Sequence, residues 1–166
     1  MATDPFPLNA WELMDSAEVP GNSSVVRLYQ WGKRFSVHVD GQELMASGVH
    51  ASEDALSEQA CTRIAAREAA TVLIGGLGMG YTLAAALRNL GPGATVSVAE
   101  LVPAIVAWNR GPLGHLAGQP LRDPRALVHE CDVTLLIQDP LTRYDAILLD
   151  VDNGPEALTS AGNNWL

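Results

Sequence analysis

The chain has 166 residues and 17.6 kDa, with 19 Asp+Glu against 10 Lys+Arg, a formal net charge of −9 and a pI near 4.7. Its 48% hydrophobic and 17% charged residues can bury a sizeable core, which excludes disorder over most of the length and implies one ordinary domain with a small appendage. A single lysine, Lys33, and scattered arginines build no clustered basic face, which argues against nucleic acid as a partner.

From the start, MATDPFPLNAWELMD has acids and prolines where a signal peptide needs a basic start and an apolar run, so a cytoplasmic protein is expected. Apolar runs along the chain stop well short of the roughly 20 residues that cross a bilayer, so no membrane span is expected. Met1 to Ser24, punctuated by Pro5, Pro7, Pro20 and Gly21, reads as an irregular lead-in. Alternation of Val26 and Leu28, then of Phe35, Val37 and Val39, on either side of Gly32-Lys33 predicts a small antiparallel sheet over 25–45. SEDALSEQACTRIAAREAA predicts a helix capped by Ser52, with Leu56, Ala60 or Cys61, and Ile64 on its apolar stripe. The division expected is thus 1–50, lead-in and small sheet, and 51–166, the main domain.

From Thr71 the pattern becomes that of a parallel sheet flanked by helices. The strands read as TVLIG, ATVSVA, ALVHE and DAILLD; helices are expected over 80–90 and 103–109, a loop over 111–124 and a helical turn over 133–138. DAILLDV is apolar on both faces and calls for neighbours on both edges, yet little chain follows Asp150. The expectation is a C-terminally truncated sheet, or one completed by another chain, for instance in a homo-oligomer. Cys61 and Cys131 lack neighbouring Cys or His ligands and read as reduced, buried thiols, so no metal is expected.

Gly76, Gly78 and Gly80 form G-x-G-x-G directly after a strand and before a helix, a place where a ligand can approach backbone and helix N–H groups. A tight strand-to-helix turn needs the same residues. Glu100, at the end of the next strand, can accept hydrogen bonds from ribose hydroxyls; alternatively it is a solvated acid at a helix start. Asp132 follows the third strand and can accept from an adenine amine. Asp150 ends the fourth and can orient or deprotonate a nucleophile, or form a turn with Asp152, Asn153, Gly154 and Pro155. His38, His50, His115 and His129 read as structural or surface residues. Trp11, Trp31, Trp108, Trp165 and Tyr81 read mainly as packing residues, with Trp165 also placed to line a site mouth and Tyr81, at the helix start, alternatively to stack on adenine.

The glycine loop, Glu100, Cys131-Asp132 and YDAILLDVDNGP resemble the class I S-adenosylmethionine-dependent methyltransferase superfamily, and within it the spermidine synthase branch, the polyamine aminopropyltransferases. The resemblance implies an α/β, Rossmann-like methyltransferase fold behind a small β appendage. It also implies that Gly76, Gly78, Gly80, Glu100 and Asp132 hold S-adenosylmethionine or its decarboxylated form, and that Asp150 activates a small-molecule amine. The chain departs from that branch at Gly78, where an aspartate is usual, at SEDALSEQ, which lacks a Tyr-His pair, and at Asn153, where the branch has a second acid. Aminopropyl transfer in polyamine biosynthesis is the activity the resemblance implies. Methyl transfer and a non-catalytic nucleoside-binding or assembly module remain alternatives.

Overall fold

The structure, a computed structural model, describes residues 11–48 and 50–151. These fall into two units, 11–48 and 50–151. Asp152, Asn153, Gly154, Pro155 and Trp165 lie outside the described residues.

The first unit is an antiparallel meander of β1 (Glu12–Glu18), β2 (Val25–Trp31), β3 (Arg34–Val39) and β4 (Gln42–Ala46), paired in that order. Two-residue turns at Gly32-Lys33 and Asp40-Gly41 fix the β2–β3 and β3–β4 registers. Val26 and Leu28 of β2 are buried while Arg27 and Tyr29 are not, the alternation expected there; in β3 the expected alternation is corrected, since Phe35, Ser36 and Val37 are all buried and Val39 is half-buried. The expected irregular lead-in is corrected at β1, which is a strand paired with β2 from Glu12↔Gln30 to Glu18↔Val25. This edge strand is exposed along almost its whole length and irregular between Leu13 and Asp15, so backbone pairing, without a buried face, holds it.

In the second unit, α1 (Ala51–Cys61) precedes β5 (Thr71–Gly75), α2 (Tyr81–Asn89), β6 (Thr95–Ala99), α3 (Pro103–Arg110), β7 (Ala126–His129), α4 (Val133–Ile137) and β8 (Ala146–Leu149). Helix α1 differs from its expected form. Its N-cap is His50 and has no side-chain cap bond, Ser52 lies inside the helix and bonds Glu53, and the helix stops at Cys61. Its buried positions are Ser57 and Cys61, whereas Leu56 is exposed. Cys131 is only half-buried.

The four strands are all parallel, in the order β7-β6-β5-β8. Central β5 is apolar without alternation because both faces are covered, and Val72, Leu73 and Ile74 are fully buried. Asp145 joins the strands at their amino ends: its carboxylate accepts from Thr71 N–H at 2.9 Å and pairs with Arg67. The expected α/β, Rossmann-like architecture, a parallel sheet flanked by helices and preceded in the chain by a small antiparallel sheet, is the fold observed. Among the described residues β8 pairs only with β5, and it buries Leu148 while exposing Ile147 (46%) and Leu149 (52%). No helix among the described residues is long and apolar enough to cross a membrane.

The parity of β8 makes a direct prediction. Leu148→Ala should lower unfolding stability by about 2–5 kcal/mol in urea titrations, whereas Ile147→Ala should cost less than about 1 kcal/mol. Equal losses would contradict this facing of the strand.

Candidate functional site

Strand order places the candidate site before any side chain is considered. From β5 the chain passes through α2 to β6 on one side and continues to β7, then returns to lay β8 on the other side of β5. Beyond the carboxyl ends of β5 and β8 lies the switch point at which open α/β sheets form ligand crevices. Backbone bonds prolong the sheet into this edge: Gly76 N–H to Ala99 O at 2.8 Å, Glu100 N–H to His129 O at 2.9 Å, and Asp150 N–H to Gly75 O at 2.8 Å.

The loop after β5 needs glycine at two positions for stated reasons. Gly76 has φ +87°, and a Cβ there would lie 2.2 Å from the carbonyl oxygen of Asp150, so the loop can pass β8 this closely only without a side chain. Gly80, with φ +84°, caps α2; a Cβ on it would meet Asn109 Oδ1 and Pro120 Cγ, each at 3.1 Å. Gly78 contributes its carbonyl, which accepts from Asn109 Nδ2 at 2.8 Å.

Glu100 is buried, so the solvated-acid alternative does not describe it. One carboxylate oxygen accepts from Leu77 N–H in the glycine loop and the other from Val102 N–H at the start of α3, both at 2.9 Å. Burial raises its proton affinity, and backbone donors from Val102, Leu77, Gly78 and Leu101 oppose that rise without cancelling it. Two sp² oxygens have further lone pairs beyond those two bonds, so the group can still accept from a ligand hydroxyl.

Asp150 stands across the loop from Glu100 in the strand order, at the end of β8. Its Oδ2 accepts from Thr82 Oγ1 at 2.5 Å, and Ser57 Oγ in turn donates to Thr82 O at 2.8 Å, which ties α1 and the first turn of α2 to the carboxyl group. Burial pushes Asp150 up, the Thr82 hydroxyl pulls it down, and the charge of Glu53 pushes it up again; the net result is a raised proton affinity. At the start of α2, His50 stacks on Tyr81 with ring centroids 4.4 Å apart, and its Nδ1 lies 2.7 Å from Asp54 Oδ2. Tyr81 therefore stacks at the half-buried start of α2, not in the core as the sequence had suggested.

Asp132 has a local role that the strand-end reading did not contain. It is the N-cap of α4, and its Oδ1 accepts from both Thr134 N–H and Thr134 Oγ1 at 2.8 Å. Val133, the next residue, reaches to 3.0 Å from the position of a Cβ on Gly75, so this cap lies at the same sheet edge. The structure thus brings Glu100 to the glycine loop at 77–78 and Asp150 to it at Gly76, and places Asp132 at the same sheet edge through α4. Sequence reasoning missed Ser57, Thr82, Glu53 and Asn109. Threonine two residues into α2 was a visible signal; the others belong to packing partners distant in sequence.

No protein-family model matches the sequence, and no curated protein matches it. Solved structures do match in fold. A spermidine synthase in complex with the transition-state analogue AdoDATO has a TM-score of 0.67 at 17% identity, over 83% of this chain and 47% of its own. Spermidine synthase from Thermotoga maritima gives 0.63 at 17%, over 83% and 46%. A protein described as a probable spermidine synthase, from Corynebacterium glutamicum ATCC 13032, gives 0.52 at 16%, over 86% and 52%. The chain spans about half the length of these structures.

Two measurements test the geometry. Gly76→Ala should cost more than about 2 kcal/mol of stability through the clash with Asp150 O and the left-handed backbone, while Gly91→Ala, whose Cβ would meet nothing within 4 Å among the described residues, should stay within about 0.5 kcal/mol. The second uses pH. Because the folded-state affinity of Glu100 is raised above its unfolded value of about 4.3, its contribution is fully present below that value and is lost as pH rises through the raised one. The stability difference between wild type and the non-titrating Glu100→Gln variant should therefore shrink as pH increases from about 4. A difference that grows over that range would reverse the assigned sign.

Proposed function

We propose that this chain is a transferase that binds decarboxylated S-adenosylmethionine or S-adenosylmethionine at the carboxyl edge of β5, β6 and β8, and moves an aminopropyl group onto a small amine. The observation that carries the reading is the placement of Asp150, a carboxyl group of raised proton affinity, against the glycine loop at the switch point. The fold shared with spermidine synthases supports it.

The donor set suits an adenosyl ligand. Side-chain-free backbone at Gly76, Gly78 and Gly80 permits close approach, Glu100 has lone pairs for ribose hydroxyls, and Asp132, capping α4 through Oδ1, leaves its other oxygen for an adenine amine. Bound there, the sulfonium supplies an electrophilic carbon whose leaving group departs as a neutral thioether. What remains for the protein is to present an uncharged amine and keep water away. Asp150 takes the proton from the amine nitrogen as the nitrogen–carbon bond forms and the carbon–sulfur bond breaks. Thr82 fixes Oδ2 of that carboxylate and leaves Oδ1 to face the amine, while burial and the Glu53 charge make it a stronger base than an ordinary aspartate.

Titration calorimetry with methylthioadenosine and both forms of the co-substrate, followed by mass spectrometry of products with putrescine, tests the proposal. Nucleoside binding and aminopropylated amine are expected. Asp150→Asn should lower kcat at least about 100-fold and leave nucleoside affinity within about threefold. Methylated product in place of aminopropylated product would redirect the assignment to methyl transfer. Binding without any transfer would favour a nucleoside-binding or assembly module, to which the edge of β8, unpaired among the described residues, is suited. Failure of every nucleoside to bind would dismiss the proposal.

A further inference from the structure

Asn109, in the last turn of α3, is 3% exposed and takes no part in the chemistry above. Its Nδ2 donates to two carbonyls, Gly78 O at 2.8 Å and Ile105 O at 3.0 Å. Two acceptors on the same side fix which end of the amide is nitrogen, since the opposite assignment would set oxygen against both carbonyls. Oδ1 is then buried and, among the described residues, has no hydrogen-bond partner; it lies 3.1 Å from the position of a Cβ on Gly80. An orphaned buried acceptor is a standing cost that an apolar side chain of similar volume, such as Leu, would avoid.

The other side of the same loop segment is held by Glu100, which accepts from Leu77 N–H and receives a further backbone bond from Gly78. We propose that Asn109 is a positioning residue for the nucleoside site. By drawing the Gly78 carbonyl toward α3, it sets the plane of the Gly78–Met79 peptide. In a trans peptide the N–H points opposite to the carbonyl, so the Met79 N–H is turned away from α3, where it can donate to an oxygen of the bound nucleoside. Glu100 and Asn109 thus grip the loop through its N–H groups and its carbonyl respectively, and the loop holds its shape before a ligand arrives. This inference rests on the nucleoside reading for its ligand, but not for the clamp.

The test compares Asn109→Leu with Val106→Ala, a fully buried residue on the same helix whose apolar side chain can make no hydrogen bond to the loop. Methylthioadenosine affinity should fall about tenfold or more in Asn109→Leu and stay within about twofold in Val106→Ala, with amide exchange at 77–80 accelerated only in the former. If Asn109→Leu fails to fold, Asn109→Ala carries the comparison. Wild-type affinity in the Asn109 variant, or equal loss in both, would overturn the assignment. Should the wild type bind no nucleoside, the functional reading fails separately and exchange decides the clamp: acceleration confined to 77–80 supports it, and unchanged exchange refutes it.

Discussion

The buried carboxylate of Glu100 is the interaction on which the carboxyl edge of the sheet depends. Removing an ionised group from water is expensive, and here backbone N–H donors offset part of that cost. Because those donors come from the glycine loop after β5 and from the start of α3, one side chain at the end of β6 fastens both segments to the sheet edge. The raised proton affinity of Glu100 reports that the compensation is incomplete. A group that resists ionisation yet is surrounded by donors is suited to holding backbone and to accepting one or two more hydroxyl protons.

The same edge is fixed from the opposite direction by β8. Leu148 anchors the strand, its backbone bond to Gly75 continues past the last paired residue, and Asp150 arrives beside Gly76 with only a glycine's width to spare. Ser57 and Thr82 then relate α1 and α2 to the carboxyl group, so two helices and two strands determine where one acid sits. In a catalytic reading this arrangement serves the proton: the hydroxyl holds one oxygen, and burial with the Glu53 charge raises the basicity of the group.

The parallel half of the fold was legible because strands covered on both faces leave unbroken apolar runs, and TVLIG, ATVSVA, ALVHE and DAILLD lie within a residue of the strands observed. Strand β1 left no such trace. It is exposed along almost its whole length and owes its form to pairing with β2, which composition cannot register. Glu100 was found by its spacing from the glycines, but its burial depends on a loop that folds over it. Asp132-Val-Thr contains the elements of a helix cap, and placing the acid at a strand end obscured that local use. Ser57, Glu53 and Asn109 became visible only when α1 and α3 were brought against the glycine loop and β8, contacts set by tertiary packing rather than by periodicity.

The central claim is that backbone at 76–80 and the carboxyl groups around it face one adenosyl ligand. Amide chemical shifts of the labelled chain, followed by NMR through a titration with methylthioadenosine, test it most directly. The account predicts saturable shifts concentrated at 76–82, at Leu101 and Val102, and at Asp150 and Val151. Absence of shifts at saturating ligand, or shifts centred elsewhere, such as around Leu87, Leu90 and Arg125, would contradict it.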